Sequence, residues 1–418
     1  MASAVEIVYP TCCGIDAHKN FLVACIAKTD KRGHTTHSTR RFSTNTGDLR
    51  RLADWLVTNE CKDVCMESTG KYWIPVFNIL EETCKVCLTH PKYVKAIKGK
   101  KTDKKDAMWI AELFKCDLVR SSYIPPFDIR QLRDLCRYHT KLTYMVTSEK
   151  NRSHNCLTVS NFKLDAVFSD IFGKSASRII DSLIYFGNSD FDIAPLVDKR
   201  CKATIEEIQA ALEGELSYAQ AEKLKLIRKH MENLESLKDS LADLISQLAK
   251  KYQPEINLLL TVPGIRSELT AIRIIAEIGT DMSVFETAKQ LCSWAGVAPQ
   301  NNESAGKKKT TRISRAGVYL KPLLVQNTLA INRSKKHPEM SVKYQALKKR
   351  RGHKKALIAI SRKILTAIWH MLSKNEPYNA ELYQKADKPP ANRVLTPEQA
   401  IALLRSQGYQ IIEPEPAA

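Results

Sequence analysis

The first 120 residues alternate between short apolar runs and longer mixed stretches. Thr11–Asp16 closes one short run, and Phe21–Ala27 (FLVACIA) is an uninterrupted second. Residues 38–43 (STRRFS) can pair beside them as a third strand. Gly47–Leu56 switches to helical spacing, with Leu49, Leu52, Trp55 and Leu56 on one face. Asp63–Met66 (DVCM) reads as a buried strand ending at Glu67, and residues 72–82 as a helix. Lys85–Leu88 (KVCL) reads as a further strand, and Asp103–Phe114 as a helix. Three strands, helix, strand, helix, strand, helix predicts an α/β unit, a mixed sheet flanked by helices.

Pro125-Pro126 punctuates the end of that unit. From 128 to 252 glycine and proline are scarce and helical spacing dominates. Residues 219–250 carry Leu224, Ile227, Met231, Leu234, Leu237, Leu241, Leu244 and Leu248 at steps of three and four. That stripe, with charged residues on the other faces, predicts a coiled-coil-like, self-associating arm. A long helix packed inside its own domain would show the same spacing. Near 255 a third, mostly helical unit begins. Leu258–Gly264 (LLLTVPG) and the apolar helix through Ile278 resemble a helix–hairpin–helix, whose Pro-Gly turn would aim N–H groups at a phosphate. An ordinary turn between two helices is the plainer reading. A short helix at 396–406 precedes a Pro-rich end. The expected divisions are 1–127, 128–252, 253–385 and a C-terminal tail, 386–418.

Composition narrows the partners. The 418 residues include 65 Lys plus Arg against 45 Asp plus Glu, a formal charge of +20. Such a surface calls for something negative, most often nucleic acid, although a membrane face or solubility alone would also use the charge. The hydrophobic fraction of 44% supports real cores and excludes wholesale disorder. No uninterrupted apolar run approaches the ~20 residues of a membrane span. The N-terminus lacks a basic region followed by an apolar stretch, so a cytoplasmic protein with no membrane partner is expected. Twelve cysteines, from Cys12 to Cys292, read as reduced thiols. Cys61-x3-Cys65 and Cys84-x2-Cys87, with His90 beyond, imitate a zinc pattern. But Cys65 and Cys87 sit in strand-like apolar runs, where cysteine acts as a small hydrophobe, so no zinc is expected.

The chemistry concentrates in two places. Asp16 (GIDAHK) and Glu67 (CMESTG) end strands, while Asp103 and Asp106 (KTDKKDA) open a helix three residues apart, on one side. Singly, each has a structural role: Asp103 as an N-cap, Asp106 in a first turn, Asp16 and Glu67 in surface turns. Together they match a ribonuclease-H-like order of carboxylates. Four such oxygen donors would need a cation, and one or two Mg²⁺ ions suit them. Lys92, Lys95, Lys98, Lys100, Lys101, Lys104 and Lys105 surround the last pair, as binding a polyanion beside metal requires. The second place is Ser293–Leu324. Ser304 lies in a small, polar loop followed by Lys307, Lys308 and Lys309, then Arg312 and Arg315. Nearby cations would favour a phosphate beside that hydroxyl, though a glycine-rich turn with an exposed serine is the plainer reading. No histidine is near in sequence to serve as base. A further basic stretch runs from Arg333 to Lys363 and reads as nucleic-acid-binding, or as a solvated helix face.

GIDAHK, MESTGKYW, KTDKKDA, VPGI, SWAGVAP and ESAGKKK…RISRAGVYL together resemble the DEDD transposases of the bacterial insertion-sequence family one-ten, relatives of site-specific DNA invertases, over about residues 10–375. The resemblance implies a RuvC-like first domain with Asp16, Glu67, Asp103 and Asp106 as the metal-binding tetrad. It implies a transposase domain whose serine, Ser304 here, attacks the DNA backbone and forms a phosphoserine link. Glu303 stands where many members carry a second serine, while Ala305-Gly306 keeps the small pair that follows. The composite site of such enzymes joins the RuvC-like domain of one subunit to the serine domain of another. The resemblance further implies that the helical arm assembles dimers and tetramers, that a non-coding bridge RNA pairs with double-stranded donor and target DNA, and that the protein works in the bacterial cytoplasm, associated with the nucleoid. The competing functions are a metal-dependent, structure-selective nuclease using water, and a non-catalytic nucleic-acid scaffold.

Overall fold

The computed structural model describes residues 6–68, 70–94, 102–186, 190–300, 302–304, 307–333, 337–381, 397–406 and 408, with the backbone alone at 302–304, 307–309, 397, 399, 402, 403 and 406. The chain divides into two compact units, Met1–Asp134 and Leu135–Ala418.

The first unit is built on a five-stranded sheet in the order β3-β2-β1-β4-β5. Its strands are β1 (Thr11–Ala17), β2 (Phe21–Thr29), β3 (Thr35–Ser43), β4 (Asp63–Glu67) and β5 (Lys85–Thr89). β1, β2 and β3 form an antiparallel meander, and β4 and β5 run parallel to β1. Helices α1 (Thr46–Thr58), α2 (Trp73–Leu80), α3 (Pro91–Val94) and α4 (Asp103–Lys115) complete it. Apart from the short helix α3, which hydrophobic spacing did not predict, the element order read from the sequence is the observed one.

The two-residue period of a strand explains how this sheet divides its side chains. Cys13, Ile15 and Ala17 of β1 join Leu22, Ala24 and Ile26 of β2, Val64 and Met66 of β4, and the apolar faces of α1 and α2 in one core. The alternate residues turn to α4. Cys12, Cys65 and Ala27 meet Ile110, Ala111 and Phe114, while Val23 and Cys25 meet Ala107. Covering on both faces is why β2 reads as a continuous apolar run. β3, at the edge, is largely exposed and polar, as an edge strand must be to resist pairing with other chains. All twelve cysteines are unpaired, and Cys61, Cys65 and Cys84 are buried within these cores.

Among the described residues, the second unit is helical apart from one hairpin. The 33-residue helix α5 (Phe127–Val159) spans the division between the units. Helices α6 (Leu164–Val167), α7 (Lys174–Phe186) and α8 (Ile205–Ala211) and the first half of α9 (Tyr218–Ala249) share a core with Cys156 and Leu157 of α5. Leu142 and Val146 of α5 continue the packing onto Leu234 of α9. The leucine stripe of α9 is thereby divided. Leu224, Ile227 and Leu234 are buried inside the unit, whereas Leu237, Leu244 and Leu248 are 42–55% exposed.

α10 (Gln253–Leu260) and α11 (Glu268–Ile278) flank the Val262–Ile265 turn. Gly264 adopts φ +86, and a Cβ there would lie 2.6 Å from the Asn327 carbonyl of α13 (Leu320–Asn332). The turn is thus packed against a helix, and the exposed residues at the head of α11 are Arg266, Ser267 and Glu268. α12 (Ala288–Trp294), α13 and α14 (Pro338–Arg351) pack around α15 (His353–Lys374). α15 is long and apolar enough to cross a membrane by length and mean hydropathy, 1.2 over its best window. Here Ile360, Ile364, Leu365 and Ile368 bury its apolar side in the protein core. A final helix covers Pro397–Ser406. The rest of the expected tail, apart from Gly408, lies outside the described residues.

Candidate metal centre and nucleic-acid surfaces

Even-numbered residues of β1 face α4, so Cys12, Gly14 and Asp16 form one row along that face. At Gly14 a Cβ would fall 2.2 Å from the Ala107 carbonyl oxygen and 2.4 Å from the Ala111 amide nitrogen. Glycine is the side chain that lets the helix backbone sit directly on the strand. The small Ala107 and Ala111, both fully buried, are its counterparts on α4. This close approach carries the first turn of α4, with Asp103 and Asp106, to the end of β1 where Asp16 lies. Thr102 caps α4, its hydroxyl accepting from the Lys105 amide at 3.4 Å. Both aspartates therefore also sit at the positive end of the helix dipole.

β1 and β4 pair in parallel with Ile15 opposite Met66. One residue on, Asp16 and Glu67 leave neighbouring strands at the same end and toward the same face. Burial pushes the Asp16 carboxyl above the usual carboxylate range; His18 opposes the shift, and Asp106, Glu67 and Asp103 add to it. All four predicted carboxylates thus share one electrostatic neighbourhood. Holding them ionised together costs free energy that a divalent cation would offset.

Spacing in the sequence did not single out His18, which belongs to the same site. Its Nε2 lies 3.2 Å from Asp16 Oδ2 and 3.4 Å from Asp103 Oδ1. One ligand atom from each of Asp16, His18 and Asp103 falls within 4.8 Å of the others. The available signal was the strand period: His18 is two residues beyond Asp16 and so returns to its face. The His18 amide donates to the Phe21 carbonyl at 2.9 Å, which closes the β1–β2 hairpin and fixes the residue there. The donor set, hard carboxylate oxygens with an imidazole nitrogen left without a hydrogen bond, fits a divalent cation.

Around this centre Lys92, Lys104 and Lys105 are exposed. Lys95, Lys98, Lys100 and Lys101 lie outside the described residues. Arg41 of β3 adds a cation that the motifs did not reveal, its guanidinium 3.8 Å from the Phe21 ring centroid. Val23 pairs with Asp16 on one side and Arg41 on the other, so the three form a row across the sheet.

In the second unit Ser304 ends β6 (Asn302–Ser304), which pairs antiparallel with β7 (Lys307–Thr310), Ser304 opposite Lys307. A Pro299–Ile313 bridge closes the base of this hairpin. Lys321, at the head of α13, donates to the Ser314 carbonyl at 2.7 Å and ties down the strand-to-helix connection. Burial lowers the Lys321 ammonium from its ordinary pKa. Arg312 and Arg315 are exposed; the side chains of Ser304, Lys307, Lys308 and Lys309 lie outside the described residues. Beside the hairpin a groove of about 1790 Å³ runs between the 310–313 segment, α14 and α15. Lys343, Arg350, Arg351, Lys354, Lys355 and Arg362 edge it, over a floor that includes Ile313, Leu347 and Met371. Part of the basic stretch noted in the sequence is thereby gathered on one surface.

Two family models match this chain. Residues 13–161 match the DEDD transposase model of the IS110 family, and residues 256–345 match a model described as transposase, IS116/IS110/IS902 family. The transposase for insertion sequence element IS1111A of Coxiella burnetii is 32% identical over 121 residues, 28% of this chain and 33% of that protein. The pilin gene-inverting protein of Moraxella bovis is 28% identical over 161 residues, 37% of this chain and 49% of that protein. The chain thus spans from a third to about half of the length of these curated relatives. Both family models match in chain order, the first covering the strand and helix that carry the carboxylates and the second covering the serine hairpin, and the chain belongs to the IS110 family of transposases.

Proposed function

We propose that this protein is a DNA recombinase that cuts and rejoins DNA strands through Ser304, assisted by Mg²⁺ held at Asp16, Glu67, Asp103 and Asp106 on a RuvC-like domain. The observation that carries the reading is the convergence of carboxylates from β1, β4 and α4 on one end of the sheet, in a chain of this family. When bound, one or two Mg²⁺ ions would neutralise charge on the phosphodiester and on the leaving oxygen.

The chain's own groups do the rest. The Ser304 oxygen attacks phosphorus; a P–O bond to the serine forms and the P–O bond to the sugar breaks. The serine proton leaves to a base, and the departing sugar oxygen gains a proton. In rejoining, a sugar hydroxyl attacks the phosphoserine and the serine oxygen leaves. Lys307, Lys308, Lys309, Arg312 and Arg315 flank the hydroxyl in sequence and supply positive charge for the transferring phosphate. The basic groove along α14 and α15 supports a polyanion partner, double-stranded DNA together with a bridge RNA that selects it. The exposed half of the α9 stripe supports assembly as a dimer or tetramer.

The test is adduct trapping on DNA carrying the element's ends. Wild-type protein with Mg²⁺ should yield a denaturation-resistant protein–DNA adduct that protease removes. Ser304→Ala should yield none, and Asp16→Asn should yield none while still binding DNA. Cleavage that survives Ser304→Ala without an adduct would instead identify a hydrolytic nuclease with water as nucleophile.

A further inference from the structure

We propose that His18 is a direct nitrogen ligand of the catalytic cation, so that the centre is a mixed nitrogen–oxygen site and not an all-carboxylate one. This rests on reading the carboxylate cluster as a metal centre and specifies its ligands further.

Three observations converge. The first is distance. In an octahedral shell with bonds of about 2.0–2.2 Å, adjacent donors are about 3 Å apart. The His18 nitrogen stands 3.2 Å from Asp16 Oδ2 and 3.4 Å from Asp103 Oδ1, close to the edges of such a shell. The second is direction. Nε2 is shielded from solvent and makes no hydrogen bond among the described residues, although two carboxylate oxygens are within charge-pairing range. Neither contact has hydrogen-bond geometry. A buried ring nitrogen left so is costly, and coordination to a cation satisfies it. The third is preorganisation. The His18 amide bonds to the Phe21 carbonyl, the imidazole rests on the Phe21 ring at 4.7 Å between centroids, and Arg41 covers Phe21. The ring is held in place before any ion arrives.

The consequence is selectivity. Mg²⁺ prefers oxygen donors, whereas imidazole favours first-row transition ions, so His18 should raise affinity for Mn²⁺ relative to Mg²⁺. The test uses Mn²⁺ as the probe on the full chain, read by pulsed electron paramagnetic resonance. Wild-type protein should show ¹⁴N modulation from a coordinated imidazole, changed to the ¹⁵N pattern when histidine is ¹⁵N-labelled. His18→Gln should still bind Mn²⁺ through the carboxylates but lose the modulation, and its preference for Mn²⁺ over Mg²⁺ should fall by about tenfold. If Mn²⁺ binds in an Asp16-dependent manner without nitrogen modulation, or if His18→Gln keeps it, His18 is not a ligand although the metal centre stands. If Asp16→Asn binds Mn²⁺ as the wild type does, the metal centre is misplaced and the proposal falls with it. Ten histidines carry the label, but among the described residues His18 is the one grouped with these carboxylates, so a labelled wild-type signal that Asp16→Asn removes decides the matter even if His18→Gln folds poorly.

Discussion

Asp16 is held where its charge is unwelcome. Its carboxyl is raised by burial and by three neighbouring carboxylates, with His18 only partly compensating. A group whose folded-state pKa lies above its unfolded one weakens the fold as it ionises. That cost is absent below the ordinary carboxylate range, sets in as pH rises through it, and is fully present at neutral pH. Asp16→Asn should therefore raise the melting temperature of the metal-free protein at pH 7, and the gain should shrink as pH falls toward about 4 and be gone below it. Thermal melts in chelator across that range measure it, and a lower melting temperature at pH 7 would contradict the electrostatic account. The same substitution should abolish strand chemistry, so stability and activity would move in opposite directions at one position.

The docking of α4 on β1 sets the position of half the centre, and Gly14 permits it. Gly14→Ala forces the helix off the strand, because the colliding atoms are backbone and cannot rotate away. The expected loss is about 1–3 kcal/mol of stability, as for other overpacked cores, with weaker metal binding from displaced Asp103 and Asp106. Chemical denaturation and a metal titration on the same variant check both. At this scale the sequence was most readable. Strand and helix periods placed every element of the first unit except the short α3, and Asp16 and Asp103 lie within ligand range of each other, with Glu67 and Asp106 in the same electrostatic neighbourhood. Gly14 and His18 were not readable in the same way, because what makes them matter is the helix that arrives from ninety residues away. The α9 stripe shows a related limit. Its spacing is continuous from Leu224 to Leu248, but α5, α7 and α8 cover only the first half, and no local pattern announces where that cover stops.

Over the whole molecule, the exposed end of α9 and the basic surface make separate demands. Leu237, Leu244 and Leu248 lie exposed at helical spacing, which a second helix would cover. Replacing Leu237 and Leu244 with lysine should reduce the mass seen by light scattering while leaving the helical signal and melting temperature nearly unchanged, since neither side chain is part of the buried core. An unchanged mass would remove the stripe from assembly. The charge of +20 makes a quantitative demand on binding. Each phosphate neutralised by the protein releases counterions, so the logarithm of affinity falls with the logarithm of salt by about 0.9 per contact on duplex DNA. Arg350 and Lys354 are exposed and line the groove beside the serine hairpin. If that groove carries the duplex, alanine at both positions should lower the salt slope by about two while weakening binding to all sequences alike. Retention of the full slope would move the duplex off this surface, leaving the lysines near Asp103 or the hairpin as its seat. A change that depended on sequence would mean that these cations read bases, a role that point charges along a groove rim do not predict.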